Sequence, residues 1–318
     1  MTSPRKLGTG AKLAVYATIL AATFAAAAGL AVAVGPIDTS SGSHNDHGGA
    51  VDHNTAGARP HVPGISIDAD GFRIVPTETS LTADVATTYS FRIVDSEGNT
   101  VTDFDVTHER KLHLIVVSRN FVDYHHLHPT RNSDGVWTAD VPALPAGSYR
   151  VFADTRPTGA DGITLGTDLA VGNGVTDTAT IAIPAGGTTV TVGGYEIEMT
   201  GTPVVGESTL TFSVVRNGEP IIPDPYLGAS GHLVALRTGD LAFLHVHPLG
   251  DATPQQPAIR FAAQFPTPGI YRLFLDLSID GIVRTAAFTV EVPETDNQHD
   301  QHNIDDTDQS NDPHETGH

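Results

Sequence analysis

Short apolar runs separated by turn residues, rather than long amphipathic stretches, set the pattern of this chain. In Tyr89–Val94 (YSFRIV) and Tyr195–Met199 (YEIEM), bulky apolar positions alternate with polar ones. Such period-two runs, bounded by glycine, proline, asparagine and aspartate, predict half-buried strands. Beyond the first 35 residues no stretch carries an apolar period of 3.6, so helix is expected only at the start. The expected fold class is all-β.

The strand pattern occurs twice, with a period near 120 residues. Gly71-Phe72-Arg73-Ile74 corresponds to Gly194-Tyr195-Glu196-Ile197, and Tyr89–Gly98 to Leu210–Gly218. Near the end of each unit, Gly147–Asp154 (GSYRVFAD) corresponds to Gly269–Asp276 (GIYRLFLD). An internal repeat of this kind predicts two copies of one fold. Each unit supplies about seven short strands in roughly 105–120 residues, the size of an immunoglobulin-like β-sandwich. The units are expected at residues 61–172 and 173–293.

Before the repeats, Arg5, Lys6 and Lys12 precede an uncharged run from Leu13 to Val34. Those residues would span roughly 33 Å as a helix at about 1.5 Å each, enough to cross a bilayer. Residues 1–35 therefore read as an N-terminal transmembrane helix acting as a signal anchor, its basic flank cytoplasmic and the remainder outside. A cleaved signal peptide is the alternative, with Ala31-Val32-Ala33 as the cleavage signal. Either way the bulk of the chain is expected to be extracytoplasmic. Residues 36–60 and 294–318 are polar and carry scattered histidines. They read as a disordered linker and tail whose histidines either capture metal loosely or serve only as polar spacers.

Charge and composition narrow the chemistry. With 17 basic and 37 acidic residues the formal charge is −20, and no basic patch offsets it. Nucleic acid is therefore not an expected partner. There are no cysteines and only two methionines, which removes disulfides, thiolate sites and thioether capture of Cu(I). A metal held here would use imidazole, carboxylate or water, which suits Cu(II), Zn(II) or Ni(II).

The candidate chemistry lies in Lys111–Pro129 (KLHLIVVSRNFVDYHHLHP) and its counterpart Ser230–Pro248 (SGHLVALRTGDLAFLHVHP). Each places one histidine thirteen residues before an H-x-H pair: His113 with His126 and His128, and His232 with His245 and His247. Side chains alternate faces along a strand, so H-x-H puts both rings on one side. With tight turns at Arg119-Asn120 and Thr238-Gly239, the count pairs His113 with His126 and His232 with His245 across two hairpins. Opposed and diagonal β-carbons lie roughly 4.5–8 Å apart, from which three imidazoles can converge on one ion. Two tri-histidine metal sites are expected. Asp154 and Asp276, at equivalent places in the repeats, would serve as fourth ligands or as acceptors for an imidazole N–H. Alternation puts His125 on the opposite face, and His108 has no counterpart in the second unit. Tyr124, Phe243, Trp137, Tyr149 and Tyr271 read as packing residues.

The hairpin resembles a group of exported bacterial heavy-metal-associated proteins. The resemblance is carried by His113-Leu114-Ile115-Val116-Val117-Ser118, His126-Leu127-His128-Pro129 and Gly147–Asp154. It implies an envelope protein of metal homeostasis, plausibly of copper, and no defined reaction. The leading expectation is a membrane-anchored protein that binds Cu(II) or Zn(II) and buffers it or hands it to an envelope metal transporter or chaperone. The alternative is a non-catalytic cell-envelope interaction module with two sandwich domains. A metallohydrolase using the open coordination position is the third reading. Nothing resembling a general base stands beside the histidines to favour it, so no enzyme is expected.

Overall fold

The structure is a computed structural model that describes residues 62–172 and 186–294, except His245 and the side chain of His247. The expected anchor, the linker and nearly all of the tail lie outside the described residues. Among the described residues no helix is long and apolar enough to cross a membrane.

Among the described residues every regular element is a strand. The first repeat contains β1 (Asp68–Ala69), β2 (Phe72–Pro76), β3 (Ser80–Leu81), β4 (Thr87–Val94) and β5 (Leu112–Ser118). It continues with β6 (Tyr124–Leu127), β7 (Thr130–Arg131), β8 (Trp137–Val141), β9 (Gly147–Thr155) and β10 (Ile163–Val171). The second repeat contains β11 (Thr189–Val192), β12 (Tyr195–Thr200), β13 (Gly206–Arg216), β14 (Glu219–Ile221) and β15 (His232–Arg237). It continues with β16 (Phe243–Leu244), β17 (Val246–Gly250), β18 (Ala258–Phe265), β19 (Gly269–Ile279) and β20 (Ile282–Val292).

Each repeat is a two-sheet sandwich. The first has sheets ordered β1-β2-β4-β8-β7 and β3-β10-β9-β5-β6. In the second they are β11-β12-β13-β18-β17, with β14 beside β13, and β16-β15-β19-β20. In both, the chain leaves the hairpin's second strand and crosses to the opposite sheet, from β6 to β7 and from β16 to β17. In the first repeat, His126 and His128 lie at that crossing.

Two of the three hydrophobic cores are the sandwich interiors. Tyr89, Phe91, Leu114, Val116, Trp137 and Val151 fill the first. Phe212, Phe261, Ala235, Leu273, Leu275 and Phe288 fill the second. Tyr149 and Tyr271 each donate a hydroxyl hydrogen bond to a carbonyl four residues upstream, Pro145 at 3.0 Å and Thr267 at 2.8 Å. This is the tyrosine corner expected of sandwich folds.

The third core joins the repeats. Ile115, Val117, Phe121 and Phe152 from the first pack against Val234, Leu236, Leu241 and Phe274 from the second. Alternation explains it. On β5, Leu112, Leu114 and Val116 face their own sandwich, while Ile115 and Val117 face the other repeat. The strand is therefore buried on both sides, and LHLIVV reads as a continuous apolar run. Tyr124 stacks on Phe274 with centroids 4.0 Å apart and planes 6° from parallel. Its positional counterpart Phe243 meets Phe152 at 5.5 Å. The two contacts are reciprocal, as expected of repeats docked through equivalent faces.

Gly64 fits into this junction. Its φ is +73°, and a β-carbon there would stand 2.6 Å from the Phe152 ring and 3.0 Å from Phe243 Cβ. Only glycine tolerates both the backbone conformation and the closeness.

The hairpin register differs from the sequence expectation by two residues. Ile115, not His113, stands opposite His126, and Val117 stands opposite Tyr124. In the second repeat Leu236 stands opposite Phe243, the equivalent shift. Four-residue loops replace the two-residue turns, closed by Ser118 N–H to Asp123 O at 2.9 Å and Arg237 N–H to Ala242 O at 3.0 Å. Each loop turns an apolar side chain inward, Phe121 at φ 60° and Leu241 at φ 61°. Both are fully buried in the inter-repeat core. Burying such a side chain contributes about 1.5–3 kcal/mol, enough to offset a left-handed backbone costing about 1–2 kcal/mol. A slip of two residues preserves which face each residue occupies, so the histidines still share one side.

Candidate metal centre

His113, His126 and His128 come together at the end of the inter-repeat face. One potential ligand atom from each lies within 4.8 Å of the others. Ring centroids are 5.2 Å apart for His113–His126 and His113–His128, and 4.9 Å for His126–His128. His113 is 6% exposed, and the His126 side chain is equally enclosed.

Hydrogen-bond partners fix two of the tautomers. His113 Nε2 lies 3.1 Å from the carbonyl oxygen of Thr107. A carbonyl only accepts, so Nε2 carries the proton and Nδ1 is left with a lone pair. His126 Nδ1 lies 2.9 Å from Asp276 Oδ2. This carboxylate also accepts from Thr285 Oγ1 at 2.6 Å and Tyr124 OH at 3.3 Å. Nδ1 of His126 therefore donates, and its lone pair sits on Nε2. The two lone-pair nitrogens, His113 Nδ1 and His126 Nε2, face each other at 3.0 Å. His128 Nε2 is buried and has no hydrogen-bond partner. A proton or a metal ion between these two nitrogens would satisfy both.

Asp276 belongs to the second repeat, and His126 to the first. The carboxylate is 2% exposed, and it orients an imidazole across the junction, as carboxylates behind metal-bound histidines do. Asp154 is placed differently. It pairs with His113 across β5 and β9 and accepts from Thr164 Oγ1 at 2.9 Å. Burial pushes its carboxyl up to about 6. Tyr124, expected only to pack, also donates to Asp276, a role its place in the strand pattern did not signal.

The second repeat does not assemble an equivalent triad among the described residues. His232 lies beside the first repeat's cluster, with centroids 6.0 Å from His113 and 6.1 Å from His126. His245 and the side chain of His247 lie outside the described residues. The backbone of His247 pairs with Ala262 in the opposite sheet. His125, opposite Val116, takes no part in the triad. His108 has its ring 5.5 Å from His232 and 6.1 Å from His113. A cavity of about 580 Å³ adjoins the cluster, with His108, His113, His126, His232 and Asp154 on its polar wall.

The buried imidazoles resist protonation. Burial, reinforced by His126, pushes His113 down to about 3. His128 is pushed down to about 4 by the same causes, and burial also lowers His232. Below an ordinary histidine value of 6.5, the unfolded chain takes up protons that the folded chain does not. Stability therefore falls with pH from about 6.5 toward 4. Asp154 acts in the opposite sense between about 6 and 3.8, but one carboxyl does not offset three imidazoles. The metal-free protein should melt at progressively lower temperature between pH 7 and pH 4 in a calorimetric series. A flat or rising profile would contradict this account of the cluster.

A family model described as Domain of unknown function (DUF8832) matches residues 67–171 and again residues 189–294. No curated protein matches the chain. Among solved structures, the Escherichia coli adhesin FdeC is 16% identical with a TM-score of 0.23, covering 72% of this chain and 66% of that one. The Lin-41 filamin domain is 17% identical with a TM-score of 0.22, covering 35% and 97%. InvD of Yersinia pseudotuberculosis is 14% identical with a TM-score of 0.24, covering 71% and 58%. The chain spans less than two thirds of the FdeC and InvD chains. Likenesses this weak carry no argument about what the chain does.

Proposed function

The chain belongs to the family described as Domain of unknown function (DUF8832), and we propose that it is an extracytoplasmic metal-binding protein. It holds Cu(II) or Zn(II) through His113, His126 and His128, and buffers the ion or hands it to an envelope metal transporter or chaperone. The observation that carries this reading is the 3.0 Å approach of two imidazole nitrogens whose protons are committed elsewhere, to Thr107 and Asp276. Buried imidazoles with oriented lone pairs suit a borderline ion such as Zn(II) or Cu(II). The resemblance of the hairpin to exported heavy-metal-associated proteins supports the same reading. So does the basic-then-apolar N-terminus, which would anchor the chain with its repeats outside. The triad is one of the two sites that the repeated motif suggests; His245 and the side chain of His247, which would belong to the other, lie outside the described residues.

Metal analysis of the full chain tests it. After loading with zinc or copper and dialysis against a weak chelator, about one equivalent should resist removal. A His113→Ala/His128→Ala variant should lose that equivalent and keep only what the histidine-bearing ends hold loosely. Retention of no tightly held ion by the parent protein would overturn the proposal.

A second reading is supported by the shared apolar core that fuses the two sandwiches. It makes the chain a non-catalytic cell-envelope interaction module whose histidines are incidental to its function. Under that reading, metal content is indifferent to the loss of His113 and His128.

A further inference from the structure

We infer that His232 is the fourth ligand of the ion held by the triad, so that both sandwich repeats grip a single ion. The inference rests on the metal-binding reading and adds a residue from the second repeat to it. The two repeats hold His113 and His232 by the same local device. Thr107 and Tyr226 each begin a tight turn, bridged to Arg110 and Ala229, and each offers its carbonyl to the histidine six residues on. His232 Nε2 lies 2.9 Å from Tyr226 O, as His113 Nε2 lies 3.1 Å from Thr107 O. Nε2–H therefore donates in His232 as well, and its Nδ1 carries the lone pair.

Position follows from the docking. On β15, His232 lies on the same face as Val234 and Leu236, which pack into the inter-repeat core. That face meets His113, Ile115 and Val117 of the other repeat. His232 is 9% exposed, and its centroid stands within about 1 Å of the separation found inside the triad. It lines the same cavity as His113 and His126. The nearest carboxylate is committed: Asp276 accepts from Thr285, Tyr124 and His126. A fourth imidazole completes the tetrahedral preference of Zn(II). Cu(II) accepts four nitrogens as readily in a tetragonal set.

Copper at less than one equivalent, bound to the full chain and examined by pulsed electron paramagnetic resonance, counts the nitrogens directly. Four imidazoles are expected in the parent protein and three in His232→Gln, whose amide N–H can still reach the Tyr226 carbonyl. Affinity for zinc should fall on the order of tenfold or more in that variant, at least what loss of an outer partner costs. Its far-ultraviolet circular dichroism should be unchanged, which separates a lost ligand from a lost fold. Three nitrogens in the parent protein, or unaltered count and affinity in the variant, would overturn the role of His232 while leaving the triad standing. Failure of the parent protein to retain copper would overturn both.

Discussion

Phe274→Ala is expected to destabilise the metal-free protein by about 3–5 kcal/mol, the range for removing a buried phenylalanine. The residue is 2% exposed and lies on β19 with its ring turned away from its own sandwich. It fills the core between repeats and carries the stacked ring of Tyr124, a pair worth about 0.5–1.5 kcal/mol beyond area burial. The damage should not stop there, because Tyr124 donates to Asp276 and Asp276 orients His126. Urea denaturation would measure the loss. Ile270→Ala, an exposed position on the same strand, should change stability by less than about 0.5 kcal/mol. A Phe274→Ala effect as small as that of the control would mean that the repeats do not share a core.

His113→Ala should remove the ion-dependent part of stability. An ion that binds only the folded chain stabilises it by about 2.7 kcal/mol when present at about 100 times its Kd. Zinc should therefore raise the melting temperature of the parent protein and leave that of His113→Ala nearly unchanged. Asp276→Asn is a milder test. Its amide cannot accept from His126, Tyr124 and Thr285 together, and loss of such an outer partner typically weakens binding about 10–100-fold. Equal zinc-induced shifts in parent and His113→Ala proteins would remove the triad from consideration.

Much of the fold was legible along the chain. Period-two runs gave the strands, the repeat gave two copies of one sandwich, and H-x-H put two imidazoles on one face. The loop length was not legible, because nothing local marks Phe121 and Leu241 as residues that fold inward at positive φ. Their burial depends on a partner surface about 120 residues away in the chain. One sign of that surface was present: Leu112–Val117 is apolar on both faces, whereas a strand with one face in water alternates. His113 interrupts the run on its outward side, and a polar residue there marks the place where the second face is not simply core.

The sequence by itself determined the strands, their repetition and the identity of the three imidazoles, because side-chain alternation and residue type are properties of the local chain. Only the tertiary structure decided that the two histidine faces meet. Docking through Ile115, Val117, Val234 and Leu236 sets Asp276 of one repeat behind His126 of the other and brings His232 beside His113. The first repeat's triad and His232 of the second repeat thereby share one junction. The physical reason is that each outward apolar face, too large to leave in water, found its best cover in the equivalent face of its own duplicate.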